Sequence, residues 1–178
     1  MKKRYIFTSN RLGFRNWEDT DLDKMLALNQ DTEVMKFFPS IQDSLATASF
    51  IKRMQVEYSE YDYCYFVVEL KSNSEFLGFI GISNQDYGDK LGKFVDIGWR
   101  LKKSAWGKGY ATEGAKQCLI YAKKELRLPK LYAVAPKINL YSISVMKKIG
   151  MNKVKEFDHP KLIEYPRIKQ CVLYEINL

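Results

Sequence analysis

The chain has 178 residues, of which 46% are hydrophobic and 28% charged, so it suits one domain with a sizeable core and is too apolar for an intrinsically disordered protein. Its formal net charge of +8 indicates either a polyanionic partner or a solvated basic surface. The length predicts a single domain over residues 1–178. No apolar run reaches membrane-spanning length, and the run after the basic N-terminus is too short for a signal peptide. We therefore expect a cytoplasmic protein without a membrane partner.

In the N-terminal half, the residue pattern predicts one strand, three helices and a hairpin. Alternation predicts a first strand over Arg11–Trp17, and the acidic run Asp19–Asp23 supplies helix-start residues. The longest of these helices begins at Ser44 and has apolar residues at helical spacing. Two strands then follow over 63–70 and 76–83, joined by a turn at 71–74.

Four tyrosines lie where the third predicted helix meets the hairpin, at positions 58, 61, 63 and 65. They either shape a substrate pocket or belong to the packing of the core and its rim.

The C-terminal half predicts alternating strands and helices. The predicted elements are a strand over 94–101, a helix ending near 125, a strand over 130–135, a helix over 139–151 that stops at Gly150, and strands over 152–158 and 168–176. Because helices and strands are interleaved along the chain, we expect an α/β or α+β fold with a mixed sheet.

The three cysteines, Cys64, Cys118 and Cys171, have no paired spacing, and each lies in an apolar segment. This arrangement predicts buried, reduced thiols and no metal site.

A glycine-bearing loop, Trp106-Gly107-Lys108-Gly109-Tyr110-Ala111, connects the 94–101 strand to the next helix. A strand, such a loop and a helix N-terminus in that order predict an anion site, because the first backbone N–H groups of a helix lack internal partners. Lys108 adds a positive charge. The spacing fits neither a Walker-type phosphate loop nor a dinucleotide fingerprint, since Thr112 stands where the third glycine would be.

This loop resembles the acetyl-coenzyme A signature of the GNAT superfamily of N-acetyltransferases, with Gly109 and Ala111 matching and Trp106 replacing the usual Gln or Arg. A second segment, Asn139–Met151, resembles the other characteristic block, in which Asn begins a helix that ends at Gly. Its Asn-x-x-Ser beginning and Lys-Ile-Gly-Met ending are typical of the ribosomal-protein alanine acetyltransferase-like (Rim-type) branch. The opening pattern over 11–22 agrees with the same branch.

The resemblance implies a central, mostly antiparallel sheet of about seven strands, flanked by helices and splayed between the fourth and fifth strands. Acetyl-coenzyme A would lie in that opening, with no metal, its pyrophosphate on the loop amides and its pantetheine arm along the strand at Trp99 and Leu101. The implied cofactor-binding residues are Trp99, Leu101, Trp106, Gly107, Lys108, Gly109, Tyr110, Ala111, Thr112, Asn139 and Ser142.

The implied reaction is transfer of the acetyl group to a primary amine, either a protein N-terminus or a small amine. The amine would attack the thioester directly in a ternary complex, and the protein would be a monomer or a homodimer. The amine must lose a proton, and the candidate bases are Asp96, alone or through a water, and His159, the only histidine. The competing interpretation of Asp96 is a paired structural carboxylate, for which Arg100 is one candidate partner, because alternation places both residues on the same strand face. A loop histidine before a proline is more often structural, which is the alternative for His159.

The departing thiolate needs a proton or hydrogen bond. Many relatives use a Tyr on the second helix, but Met146 stands there, so Ser142 is the candidate substitute. A helix-start serine that satisfies the backbone is the alternative for Ser142. A backbone N–H near Trp99 would stabilise the oxyanion.

Two other functions stay open. The missing tyrosine suggests a non-catalytic acyl-coenzyme A sensor on the same fold. The net charge of +8 suits the phosphates of coenzyme A but also a nucleic acid, which ranks last because the sequence carries no recognisable nucleic-acid-binding motif.

Overall fold

The computed structural model describes residues 4–88 and 91–178. The helices in this part of the chain are α1 (Leu22–Gln30), α2 (Thr32–Met35), α3 (Ser44–Tyr61), α4 (Tyr110–Lys124) and α5 (Leu140–Lys148). The strands are β1 (Phe7–Thr8), β2 (Leu12–Arg15), β3 (Tyr65–Leu70), β4 (Phe76–Asp86), β5 (Lys93–Leu101), β6 (Lys130–Pro136), β7 (Asn152–Asp158) and β8 (Gln170–Asn177).

The strands form one open, mixed sheet in the order β1-β2-β3-β4-β5-β6-β8-β7, with helices against it. The predicted mixed α/β architecture is confirmed. The sheet has eight strands where about seven were expected, since β1 contains only two residues and is too short to leave an alternating pattern. Strand β4 also runs beyond its predicted end to Asp86, because its last residues pair with the beginning of β5.

Neighbouring strands pair antiparallel except β5 and β6, which are parallel and share a single register pair, Asp96 with Tyr132. Each of these strands keeps its full pairing on its other edge, β5 with β4 and β6 with β8. The sheet is therefore open between the C-terminal halves of β5 and β6, where the sequence resemblance placed the splay.

Helix α4 packs on one face of the sheet, hereafter the α4 face. A Cβ at Gly114 would lie 2.4 Å from the Cδ1 atom of Ile80, so the absent side chain allows this close approach. The opposite face carries Phe79, whose ring lies 5.3 Å from that of Phe50 on α3. This second face, hereafter the α3 face, also receives the side chain of Tyr65, which stacks on Phe79. The two faces therefore have separate helical covers.

A buried ion-pair network joins β2 to β3 and to the turn before α1. Arg15 donates from both terminal nitrogens to Asp21, each at 2.7 Å, and from Nε and Nη2 to Glu69. Burial alone would raise the pKa of Asp21, but hydrogen bonds from Arg15 and from the backbone N–H of Glu18, together with the positive charge of Arg15, outweigh it and hold that pKa below its ordinary value. Arg15 and Asp21, which both belong to the sequence pattern over 11–22, are therefore structural partners.

The prediction that the three cysteines are buried is confirmed. Among the described residues, no helix is both long and apolar enough to cross a membrane.

We predict that Arg15→Met lowers the free energy of unfolding by about 3–5 kcal/mol, because it leaves two buried carboxylates without their shared cation. Urea unfolding at neutral pH measures the change. Lys24→Met is the matched control, since Lys24 approaches the same Asp21 only at 4.0 Å from an exposed position, and it should cost less than about 1 kcal/mol. Equal losses in the two variants would contradict the assignment.

Candidate active site

The loop between β5 and α4 presents a row of backbone donors. Gly107 and Gly109 have φ angles of +73° and +79°, which favour glycine, and Gly109 is the N-cap of α4. Within residues 4–88 and 91–178, the six consecutive N–H groups from Gly107 to Thr112 donate to no acceptor, and Glu113 N–H begins the helical pattern by donating to Gly109. The unpartnered N–H groups on which the predicted anion site depends are therefore present in the structure.

Glu113 holds this loop in place without using its N–H groups. Its carboxylate accepts hydrogen bonds from the Ser9 hydroxyl at 2.6 Å and from the backbone N–H and Nε of Arg11 at 2.8 and 2.7 Å. Arg11 also donates to the carbonyl of Lys108 at 3.1 Å and lies over the Tyr110 ring. Sequence reasoning missed the part of Arg11, because its partners lie far along the chain.

The backbone of β5 turns alternate polar groups toward the opening. The N–H of Lys102 donates to Leu77 on β4, so the carbonyl of Leu101 points the other way, where the indole N–H of Trp106 binds it at 2.8 Å. By alternation, the N–H and C=O of Trp99 point in the same direction as those of Leu101. Trp99 thus offers a donor and an acceptor to the opening, whereas the carbonyl of Leu101 is already occupied.

The beginning of α5 lies on the other side of this opening. The Asn139 side chain caps the helix by accepting from the N–H of Ser142 at 3.1 Å. The Ser142 hydroxyl makes no hydrogen bond within the described residues, so the capping role belongs to Asn139 and not to Ser142. The Trp106 and Tyr141 rings, 6.4 Å apart, bring the two sides close together. Met146, one turn further on, is fully buried and points into the core.

Asp96 lies at the point where β5 and β6 separate, with only 6% of its surface exposed. Its Oδ1 accepts a 2.6 Å hydrogen bond from the Tyr65 hydroxyl and a longer one, 3.5 Å, from Gln85. Burial raises the pKa of Asp96 to about 7, although the hydrogen bonds from Tyr65 and Gln85 oppose that rise. A carboxyl group with this pKa can accept or release a proton near neutral pH.

Asp96 and Arg100 form no ion pair in the described residues, whereas a structural role for Asp96 stays open because its carboxylate is paired with the Tyr65 hydroxyl. Both residues project from the same strand face, but Nη1 of Arg100 donates to Asn29 at 2.6 Å and the guanidinium lies over Phe38. The partner of Asp96 is Tyr65, which no spacing in the sequence singles out beyond the tyrosine cluster. Gly98 makes this contact possible, since a Cβ there would lie 2.9 Å from the Tyr65 ring.

His159 begins the turn after β7, where its Nδ1 accepts from the N–H of Lys161 at 3.1 Å. Its ring packs edge-on against Tyr87, with centroids 4.9 Å apart. Burial and the nearby charge of Lys161 lower the pKa of His159. The structure gives His159 a turn-capping contact and does not bring its imidazole within hydrogen-bonding distance of Asp96.

An open cleft of about 300 Å³ lies beside Gln85, at the C-terminal end of α3. Its walls mix acidic and basic side chains, including Glu60, Asp86, Arg53 and Lys161. Gln85 lines this cleft and donates hydrogen bonds to both Tyr65 and Asp96, so it lies between the cleft and the buried carboxyl group.

A sheet opened between two parallel strands, with donor amides at one helix N-terminus, is the arrangement that the sequence resemblance implied. The family model described as the acetyltransferase (GNAT) domain matches residues 11–152, and the chain belongs to this family. It is 30% identical over 156 residues to the uncharacterized protein YkkB of Bacillus subtilis, covering 87% of this chain and 90% of that protein.

Solved structures agree with this membership. A GNAT-family acetyltransferase from Bacillus anthracis superposes with a TM-score of 0.77 at 27% identity, covering 96% of each chain. RimL, a ribosomal-protein acetyltransferase solved with coenzyme A, superposes with a TM-score of 0.79 over 97% of each chain, but its 12% identity shows the fold alone.

We predict that Asp96 makes the stability of the protein depend on pH. Because burial raises its pKa from 3.8 to about 7, the folded protein keeps a proton that the unfolded chain has lost between these values. The free energy of unfolding should therefore fall as pH rises from about 4 to about 7, and Asp96→Asn should flatten that part of the profile. Urea unfolding from pH 4 to 8 tests this. The exposed Asp23→Asn should retain the wild-type profile, and an unchanged profile in Asp96→Asn would refute the expectation.

Proposed function

We propose that this protein transfers the acetyl group of acetyl-coenzyme A to a primary amine, as a single domain over residues 1–178 of the Rim-type branch. Acetyl transfer is the family's reaction; the amine acceptor and the residue roles are our inference. The observation that carries the proposal is the row of free N–H groups from Gly107 to Thr112 beside an opening with Asp96 at its apex. The branch rests on the sequence patterns over 11–22 and 139–151, and RimL shares the fold.

The pyrophosphate of the cofactor would bind the loop amides, with Lys108 adding charge and Tyr110 lying beside Arg11. The pantetheine arm would run along β5 and pair with the backbone of Trp99, as an added strand does. The side-chain nitrogen of Asn139 would donate to the other side of the pantetheine, because its side-chain oxygen already accepts the N–H of Ser142 at the start of α5. In this arrangement the thioester would point toward Asp96.

In the reaction, the amine loses a proton to Asp96, directly or through a water, and its lone pair attacks the thioester carbonyl. The N–H of Trp99 donates to the oxyanion that forms. The C–S bond then breaks, the Ser142 hydroxyl donates a hydrogen bond to the departing thiolate, and the second proton of the attacking nitrogen passes to that thiolate, which gives the neutral amide and the thiol. The products are an N-acetylated amine and free coenzyme A. His159 drops out of this scheme because its ring is engaged in the turn.

The burial of Met146, where many relatives have a tyrosine, favours a second candidate, a non-catalytic acyl-coenzyme A sensor. Release of free thiol in the presence of a panel of amines separates the two functions. Tight binding of acetyl-coenzyme A without thiol release from any amine would favour the sensor.

We predict that acetyl-coenzyme A at a hundred times its dissociation constant stabilises the fold by about 2–3 kcal/mol, and that Gly109→Val abolishes this effect. Valine is strained at the φ of +79° and would distort the donor row. Thermal unfolding with and without acetyl-coenzyme A measures both effects. Gly88→Val is the matched control, since Gly88 has a φ of +68° outside the site and should keep the response. A wild-type melting curve unaffected by saturating acetyl-coenzyme A would contradict the proposal.

We predict that Asp96→Asn lowers turnover by roughly 10²–10⁴-fold at neutral pH, because it removes the base. In the wild type, kcat/KM should rise with an apparent pKa near that of Asp96, about 7, and the variant should lose this inflection. Most of its loss should be recovered at high pH, where free amine is abundant. Ser142→Ala should instead lower turnover at every pH. Near-normal turnover of Asp96→Asn would assign the carboxyl group a structural role.

A further inference from the structure

Arg100 stands out because its positive charge has no carboxylate partner within residues 4–88 and 91–178. Its Nη1 donates to the Asn29 side chain at 2.6 Å, and its guanidinium lies 4.0 Å from the centre of the Phe38 ring and 5.4 Å from that of Phe79. Among the described residues, Arg100 Nε is the one buried side-chain nitrogen or oxygen that lacks a hydrogen-bond partner.

The contrast with Arg15 shows how unusual this environment is. Arg15 is also shielded from water, but it binds Asp21 through two hydrogen bonds and shares Glu69 with Arg4. Removing a charge from water is costly unless an opposite charge and hydrogen bonds compensate. Burial accordingly lowers the pKa of Arg100 to about 10, so binding an anion would relieve a cost that the free protein bears.

The free side of the guanidinium has a definite shape. Asn29 takes Nη1. The other edge of the guanidinium carries Nε, which is buried without a partner, and Nη2, which donates to no acceptor in the described residues and is not buried. Two parallel donors on one planar edge match the two oxygens of a carboxylate. The rings of Phe38 and Phe79 hold the guanidinium plane and so limit its rotation.

The position of Arg100 indicates which substrate would supply the carboxylate. Arg100 pairs across strands with Phe79, on the α3 face, whereas its neighbour Trp99 pairs with Ile80 on the α4 face. Tyr65 connects the two polar groups of this face, since it stacks on Phe79 and donates its hydroxyl to Asp96. The free donors of Arg100 thus share a face with the base, while the loop amides belong to the N-terminus of α4.

We propose that Arg100 binds a carboxylate of the acceptor, so that the acceptor is a small amine that also carries a carboxylate group. This inference rests on the proposed function, in which Asp96 receives the proton of the amine. The two groups would be held at opposite ends of the Tyr65–Phe79 stack, with the amine toward Asp96. An unmodified peptide N-terminus has its own carboxyl group in an amide bond and would lack this contact.

The test compares matched ligands. The ligands are a series of amino acids with increasing separation of amine and carboxylate, each beside the amine of the same length that ends in a methyl group. Binding to the protein saturated with coenzyme A is measured by calorimetry. We expect at least one amino acid to bind about 10–100-fold more tightly than its methyl counterpart, as for a charge-assisted pair.

Three variants accompany the ligands. Arg100→Met should remove the preference for the carboxylate and raise KM for the amino acid without changing KM for acetyl-coenzyme A. Arg100→Lys should restore part of the preference, because lysine keeps the charge but loses the two-donor edge. Arg127→Met, an exposed arginine after α4, should behave as the wild type. If Arg100→Met does not fold, the wild-type ligand pairs and Arg100→Lys still give the answer.

The outcomes separate this inference from the proposed function. Acetylation of amines regardless of a carboxylate, or binding of no amino acid in the series, would overturn the role of Arg100. Failure of the protein to bind acetyl-coenzyme A or to release thiol would overturn the proposed function instead. A carboxylate preference that persists in Arg100→Met would also overturn the inference, since another cation would then be responsible.

Discussion

The site depends on the single register pair between Asp96 and Tyr132, after which β5 and β6 separate. Both strands are held by full pairing on their outer edges, so they can part without losing their place in the sheet. The separation leaves the backbone groups of Trp99 without a neighbouring strand, which a peptide-like ligand can replace. It also places a buried carboxyl group at the closed end of the opening.

The loop after β5 must be held rigid by contacts that leave its own backbone N–H groups unpaired. Glu113 and Arg11 hold the loop by linking α4 to the turn before β2, and the indole N–H of Trp106 donates a hydrogen bond to the carbonyl of Leu101, the last residue of β5. These contacts use side chains and carbonyl oxygens, so the N–H groups of the loop stay available. The replacement of the usual Gln or Arg by Trp106 therefore has a structural explanation in the contact with Leu101.

Three buried or partly buried ionisable groups differ in how completely their partners compensate them. Arg15 is fully compensated by carboxylates and holds the N-terminal strands. Asp96 is buried with only neutral donors, which keeps its pKa near neutrality. Arg100 is left with free donors on the same face as Asp96. The two incompletely compensated groups therefore lie on the same face of the sheet, at opposite ends of the Tyr65–Phe79 stack.

The sequence by itself determined the features that depend on contacts within a few residues. The glycines of the loop, the cap at Asn139 and the order of strands and helices all follow from local backbone preferences. Only the tertiary structure decided that Asp96 contacts Tyr65 rather than Arg100, because Tyr65 comes from β3, a strand far from Asp96 in the sequence. It likewise decided the two-residue strand β1 and the extension of β4 to Asp86, since their extended conformation depends on neighbouring strands and carries no pattern of its own.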